Sequence, residues 1–385
     1  MKSRLVLPKL AMTREGSTDL FVPAESLRAK DPRTFPAFFN PAARVNRDVS
    51  VAVARATRPG TFLDALAGTG ARGVRIAKEA SESVEVTLVE FNETSLAIAK
   101  KNAKRNGVDS RCEMVHEESN AYLHSRFGRL ERFDAVDIDP FGTPAPYVQG
   151  ALTAAGEGAL VSVTATDTAT LCGVYPTVAL RRYGARVVRS EFAHEAAIRV
   201  LLGFCARVGG VVDTGIEPVA AHSTLHYLRV YFRVARGAAK SDRSLKGVGY
   251  VASCVACHED AVTTDYATAC AECGGKVRCI GPQWVGKLVD EKVVAEAGKH
   301  CSKLGWRGAC EALAALEGVD GFPPFGYSME AITSRERVSS VRFQRVVELL
   351  KASGRSAMRQ PFGSSGLKTD APYREVLAAV RQSAA

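Results

Sequence analysis

The residues with the clearest chemical potential in this chain are Asp139-Pro140-Phe141-Gly142, at the end of the apolar run Phe133-Asp134-Ala135-Val136-Asp137-Ile138. A carboxylate at a strand end, a carbonyl stiffened by proline and an adjoining aromatic ring together offer two hydrogen-bond acceptors beside a stacking face. An exocyclic amino group on a flat nucleobase needs that combination if it is to act as a nucleophile. Asp-Pro is also an ordinary turn opening after a strand, so the tetrapeptide takes its meaning from what lies upstream.

Upstream, Thr61 to Gly73 reads as a short strand, a glycine-rich turn and a helix start near Arg72. Gly68 and Gly70 let the backbone approach a ligand, and the helix start directs free N–H groups at it. Val84 to Glu90 forms a second strand ending in an acid 20 residues beyond Gly70, where a carboxylate suits a ribose diol. A dinucleotide dehydrogenase shares these features. The spacing separates the two: Asp64-x-Leu66-x-Gly68-x-Gly70 lies closer to the acid-x-Gly-x-Gly-x-Gly pattern of S-adenosylmethionine enzymes than to Gly-x-Gly-x-x-Gly, with Leu66 as a departure.

A second chemical signal is Cys254-x2-Cys257 and Cys270-x2-Cys273, with twelve residues between the pairs. Each knuckle directs two thiolates at one point, and two knuckles complete a tetrahedral S4 site suited to one structural Zn2+. A disulfide framework would need a secreted chain, which nothing here marks. His258 and Cys279 are spare ligands. Cys112, Cys172, Cys205, Cys301 and Cys310 read as small buried hydrophobes.

The elements that must position these groups alternate. Strands near 61–66, 84–90, 133–138 and 158–166, with a helix from Glu93 to Arg105 capped by Asn92 and stopped at Asn106-Gly107, predict a doubly wound α/β sheet. Strands near 211–219 and 225–234 follow without a helix, as an antiparallel edge would. In the latter, Tyr227, Arg229, Tyr231 and Arg233 form one face, read as the outer face of the sheet, and His226 heads the apolar face. Residues 235–247 read as a polar linker. Beyond residue 283 the pattern is helical, and Thr333-Ser334-Arg335-Glu336 reads as a capping box that opens a basic helix to about Ser353.

At 385 residues, with 46% hydrophobic and 24% charged residues, the chain has globular composition and material for two or three domains. No run is long and apolar enough for a membrane helix, and the N-terminal stretch is too short for a secretory signal; a cytoplasmic protein with no obligate protein partner is expected. The net charge is +10, and residues 335–359 carry seven Arg/Lys against two Glu, which suits a phosphate backbone. Arg342, Arg345, Lys351 and the loop through Lys368 are the expected grip.

Over nearly the whole chain the sequence resembles the tRNA guanine-N2 dimethyltransferases, which make N2,N2-dimethylguanosine at position 26. The resemblance rests on Phe38-Phe39-Asn40-Pro41, Asn46-Arg47-Asp48, Asp64 to Gly73, Asp137 to Gly142, Thr164 to Gly173, His194-Glu195 and Gly366 to Tyr373. It implies a class I S-adenosylmethionine-dependent methyltransferase (Rossmann-like) domain over residues 1–240, a zinc-ribbon insertion over 248–282 and a mainly helical tRNA-binding domain over 283–385. It also implies that Arg47, Asp64, Gly68, Gly70, Arg72, Glu90, Glu118 and Ser119 hold S-adenosylmethionine, and that Asp139, Pro140, Phe141 and Phe38 serve catalysis, with Phe39 as the alternative stacking ring. Two other readings share parts of this pattern: a methyltransferase for DNA adenine or ribosomal RNA guanine, and a zinc-ribbon RNA-binding protein with a vestigial core. Gly366-Leu367-Lys368-Thr369 counts against the first, and intact Asp139, Gly68 and Gly70 against the second.

Overall fold

The computed structural model describes residues 7–29, 36–126, 128–129, 131–224, 227–362 and 366–384. His226 and the first six residues therefore lie outside the described part. The chain opens with a hairpin, β1 (Leu10–Glu15) and β2 (Thr18–Pro23), ahead of the expected strands. Helix α1 (Arg44–Thr57) then leads into β3 (Thr61–Asp64), α2 (Ala71–Arg75), β4 (Glu85–Val89) and α3 (Glu93–Arg105). Asn92 caps α3 by accepting the Ser95 N–H at 3.0 Å, and Gly107 follows it at φ 68°, as the local signals predict.

The chain continues through β5 (Cys112–Val115), α4 (Ser119–His124), β6 (Phe133–Ile138), α5 (Val148–Ala154) and β7 (Ala155–Ala165). Next come α6 (Thr168–Leu171), α7 (Pro176–Tyr183), α8 (Ala193–Gly210), β8 (Thr214–Thr224) and β9 (Tyr227–Arg236). The sheet order is β5-β4-β3-β6-β7-β9-β8; the first five strands run parallel, and β9 and β8 form the antiparallel edge. The strands of the parallel part read as near-continuous apolar runs because both of their faces are covered.

Arg229 and Tyr231 do not face solvent: both are buried at 0% and 1% exposure, because β9 lies inside the sheet between β7 and β8. Residues 235–247 are not a linker; they hold α9 (Ala238–Leu245), whose Ser244 hydroxyl accepts the Ile216 N–H on β8 at 3.0 Å.

A second sheet, order β11-β10-β12, is made of β10 (Val248–Cys254), β11 (Asp260–Thr263) and β12 (Val277–Trp284). Helix α8 meets this ribbon through Arg199 and Gly203, which share one helix face by their spacing of four. A Cβ on Gly203 would stand 2.7 Å from the Gln283 Cα, so glycine is required where β12 crosses. Arg199 donates to the Trp284 and Gly286 carbonyls at 3.2 and 3.1 Å.

Helices α10 (Glu291–Leu304) and α11 (Arg307–Ala314) pack on α1, and Val293, Ala297, Cys301, Trp306 and Leu313 are continuous with the core of the large sheet. The boundary expected at 283 thus falls inside one hydrophobic core. A separate small core begins only at β13 (Tyr327–Ser328) and α12 (Met329–Glu336), and takes in α13 (Phe343–Ala352), β14 (Ala357–Arg359), β15 (Gly366–Thr369) and α14 (Tyr373–Ala384). The capping box expected at Thr333 is not one. The true cap is Ser328, accepting the Ala331 N–H at 3.1 Å, while Arg337, left-handed at φ 53°, ends the helix that Thr333 sits in.

Lys368 is buried at 0% exposure and cannot grip RNA. Its ammonium donates to Glu195 at 2.9 and 3.1 Å and to the Phe325 carbonyl at 2.6 Å. Glu195 also accepts from Arg199 at 2.8 Å and Gln360 at 2.7 Å. Removing one member of a buried pair strands the other charge, so Lys368→Met should cost about 3–5 kcal/mol. Equilibrium urea unfolding of the full chain measures it, and an unchanged midpoint would show that Glu195 is satisfied by Arg199 and Gln360 alone.

Candidate active site and metal centre

The carboxyl ends of the parallel strands open onto a cavity of about 450 Å³. Its floor is the glycine turn after β3. Gly68 and Gly70 have φ of 54° and 72°, and a Cβ on Gly70 would sit 2.8 Å from the Ala99 Cβ of α3, so glycine serves both the left-handed turn and the close helix approach. Glu90, just past β4, accepts the N–H groups of Gly68 and Asn92, each at 2.7 Å, which fixes its carboxylate in the cavity wall. Asn46 lines the same wall with a buried Oδ1 that has no partner among the described residues. A fixed carboxylate, an unspent acceptor and a glycine floor fit a ligand that carries hydroxyl and amino donors, such as the adenosyl and amino acid parts of S-adenosylmethionine.

Arg47, Asp64, Gly68, Arg72, Glu90, Phe38, Asp139, Pro140 and Phe141 all line this cavity. Gly70 lies behind it. Glu118 and Ser119 lie outside its lining; Glu118 caps α4 by accepting the Ala121 N–H at 2.9 Å, and Ser119 is buried with an unpartnered hydroxyl. Tyr147, Thr164, Thr166 and Tyr227 also line the cavity; Thr164 and Thr166 fall in one of the resemblance blocks, but nothing local marks any of the four as a cavity-lining residue.

The two arginines are already engaged with carboxylates. Arg47 holds Glu15 of β1 through two bonds of 2.7 and 2.6 Å. Arg72 pairs with Asp139 and Asp137 and donates to the Ser50 hydroxyl. On the far side of Asp137, Arg229 pairs with the same carboxylate and donates to Thr164 and to Tyr231, whose hydroxyl lies 3.2 Å from Ser50. The result is one closed network that joins α1, α2, β6, β7 and β9.

Its electrostatics follow from burial and these pairs. Burial raises the Asp139 carboxyl, but the guanidinium charges of Arg72 and Arg229 outweigh it and hold the group below its ordinary value. Asp64 goes the other way: burial, then the neighbouring charge of Asp137, pushes it up to about 7. Asp139 is thus an anion with a side chain 30% exposed to the cavity. Beside it, the Phe141 ring is 64% exposed and meets Phe38 edge-on at 4.6 Å between centroids. Gly142 donates to the Thr166 hydroxyl at 2.7 Å, which ties the turn to the end of β7.

The four ribbon cysteines converge as their spacing predicts. Their sulfur atoms all lie within 4.8 Å of one another, with Cys254 and Cys273 at 3.5 Å and Cys257 and Cys270 at 3.6 Å. A zinc–sulfur tetrahedron with bonds of ~2.3 Å has edges of about 3.8 Å, so the set fits zinc. The Ala256 and Cys257 N–H groups donate to the Cys254 sulfur at 3.3 and 3.4 Å, and a Cβ on Gly275 would reach within 3.2 Å of the Cys273 sulfur. His258 and Cys279 are not in the cluster. Among the described residues no helix is long and apolar enough to cross a membrane.

A mixed sheet in this order, with a glycine floor and an acid at the neighbouring strand end, defines the class: an S-adenosylmethionine-dependent methyltransferase. Residues 19–381 match the family model for N2,N2-dimethylguanosine tRNA methyltransferase. The chain is 37% identical over 401 residues to the tRNA (guanine(26)-N(2))-dimethyltransferase of Aeropyrum pernix, covering 97% of each chain. It is 34% identical over 376 residues to that of Methanosphaera stadtmanae, covering 94% of each. The structure of Trm1 from Pyrococcus horikoshii in complex with S-adenosyl-L-methionine superposes with a TM-score of 0.85 at 28% identity, over 96% of this chain and 99% of that one. The chain belongs to the N2,N2-dimethylguanosine tRNA methyltransferase family.

The network also sets a pH dependence. His222 of β8 stacks on Tyr231 at 6.2 Å between centroids, and its Nε2 is buried without a partner. Burial, followed by the charges of Arg229 and Arg72, lowers its pKa from 6.5 to about 3. The folded chain keeps this ring neutral while the unfolded chain protonates it, so its contribution is complete above pH 6.5 and is lost as pH falls toward 3. Replacing His222 with Phe should lessen the acid-side loss of stability, read as urea midpoints above and below pH 6.5; an identical pH slope in both proteins would rule the histidine out as a cause.

Proposed function

We propose that Asp139, held by Arg72, is the group with which this tRNA (guanine-26 N2) dimethyltransferase orients the amino group it methylates. The observation that carries the reading is an anionic, partly exposed carboxylate fixed beside an exposed aromatic ring at the mouth of the cofactor cavity. The N2 lone pair of guanine is delocalised into the ring, so the amino group is a weak nucleophile. Bound S-adenosylmethionine supplies the electrophilic methyl group. Asp139 accepts one N–H of the amino group and the Pro140 carbonyl the other, which draws electron density onto the nitrogen and positions it.

As the nitrogen gains its methyl it becomes cationic and strongly acidic, so a carboxylate of depressed pKa is base enough to take the proton. Its fixed negative charge also stabilises the developing cation. Phe141 and Phe38 clamp the base once it has left its stack. Glu90, Asp64, Gly68 and Asn46 take the cofactor; Arg47 and Arg72 support that wall through Glu15 and Asp139, and Gly70 shapes the turn from behind. Glu118 and Ser119 at the start of α4 belong with the adenosine end, beside Tyr147.

We further propose a division of labour along the chain. Residues 1–240, together with 283–325, make the methyltransferase unit; 248–282 make the zinc ribbon; and the small core from residue 327 onward is the tRNA-binding part of the region 283–385. Within it Arg342, Arg345 and Lys351 on and before α13 suit phosphate contacts. A thiolate metal site and a tRNA substrate suit the reducing cytoplasm, with no obligate protein partner required.

Asp139→Asn keeps the shape and removes the charge. Turnover on tRNA should fall by about 100- to 10,000-fold, with S-adenosylmethionine affinity by calorimetry unchanged; a near-normal kcat would reduce Asp139 to a turn residue. For the ribbon, elemental analysis should find one zinc per chain, lost in Cys270→Ser together with thermal stability. Metal-free protein that melts like the parent would argue against a structural zinc.

A further inference from the structure

We propose that the exposed surface formed by Val174 to Arg189 is the seat for the tRNA strand that flanks the methylated base. The inference rests on the tRNA methyltransferase reading above. From Thr168 to Ser190 the chain carries Arg181, Arg182, Arg186 and Arg189 and no Asp or Glu, and all four arginines are exposed. Beside them Val174, Tyr175 and Leu180 stand out at 38%, 56% and 47% exposure, in a molecule whose large apolar side chains are otherwise mostly covered. A positive surface with an open aromatic ring suits a nucleic-acid strand, which offers phosphates and unstacked bases together.

The surface is built into the active site. Asp167, at the start of α6, accepts from the Tyr183 hydroxyl at 2.7 Å and from Arg182 at 3.1 Å. Tyr183 in turn accepts from the Thr143 hydroxyl at 2.8 Å, one residue beyond the Asp139–Gly142 turn. The backbone N–H groups of Thr166 and Asp167 donate to the Gly142 carbonyl at 2.9 and 3.2 Å. Helix α7 is therefore rigidly referenced to the turn that presents Phe141.

The basic stretch after α7 folds back against the exposed apolar residues. A Cβ on Gly173, at φ 84°, would lie 2.6 Å from the Arg189 nitrogen, so Arg189 is held next to Val174-Tyr175. Arg186 then bridges to Gly281 of the ribbon and lies over the Tyr266 ring at 5.4 Å. Arg182 is engaged by Asp167, but Arg181, Arg186 and Arg189 have no ion-pair partner among the described residues. By contrast Arg355 of the small core is already paired with Glu375. Unpaired guanidinium groups on a stretch tied to the Asp139–Gly142 turn are available to phosphate.

The test is tRNA binding by the full chain across a salt series, for the parent, Arg181→Ala/Arg189→Ala, Tyr175→Ala and the control Arg243→Ala on α9. All are exposed positions outside the cavity, and unchanged S-adenosylmethionine affinity checks their folding. The double variant should reduce the salt slope by about two, and Tyr175→Ala should weaken binding by at least about fivefold, with the control near the parent. Double-variant and Tyr175 proteins that bind with the parent's affinity and slope would overturn the surface, as would a control that loses as much as the double variant. A parent that binds no tRNA at all would instead overturn the substrate reading on which the proposal rests.

Discussion

The site depends on how several buried charges are made to coexist at one sheet end. Asp64, Asp137 and Asp139 converge there, and an isolated carboxylate in such a place costs several kcal/mol. Two guanidinium groups offset it, Arg72 from the helix after the glycine turn and Arg229 from β9. The remaining excess of negative charge is relieved at Asp64, whose pKa rises to about 7. The antiparallel edge therefore has an electrostatic purpose. Without β9 next to β7, Arg229 could not reach Asp137, and Arg72 would be left to balance both carboxylates.

That constraint explains why Arg72 and Arg47 stand at the cavity wall but point their charge into the protein. Their first task is to hold acidic side chains in place, Asp139 and Glu15 respectively. A carboxylate that must meet an amino group in one orientation benefits from such a partner, because a fixed acceptor needs no reorganisation during the reaction.

Much of this was legible in the sequence where local rules govern. The parallel strands, the glycine turn, the Asn92 cap and the cysteine knuckles are set by periodicity and by contacts a few residues apart. What was not legible is non-local. Arg229 and Tyr231 alternate with apolar residues as an outer face would, and only the pairing of Arg229 with Asp137, 92 positions away, reveals that the face is inside. Lys368 reads as a grip for RNA until Glu195, 173 positions away, is found against it. The Thr333 capping box failed for a simpler reason: Ser328 offers the same hydroxyl one turn earlier, and a left-handed Arg337 closes the helix. Buried charge mimics surface charge in sequence, since both are written with the same residues.

Selecting one guanosine in a folded tRNA is a problem of distance between parts. A cavity that holds one base cannot tell that base from its neighbours in other stems, so the choice must lie in where distant phosphates are held while the base is in the cavity. Such selection works only if the holding surfaces cannot drift relative to Asp139. Two rigid links meet that need. Asp167, Tyr183 and Thr143 fix α7 to the Asp139–Gly142 turn, and Glu195 with Lys368 fixes the small C-terminal core to α8. Both links are buried or partly buried hydrogen-bonded contacts, which resist exchange with water better than surface pairs do. The distance from Asp139 to the proposed backbone grip is thus set by the same kind of interaction that fixes the Asp139 carboxylate.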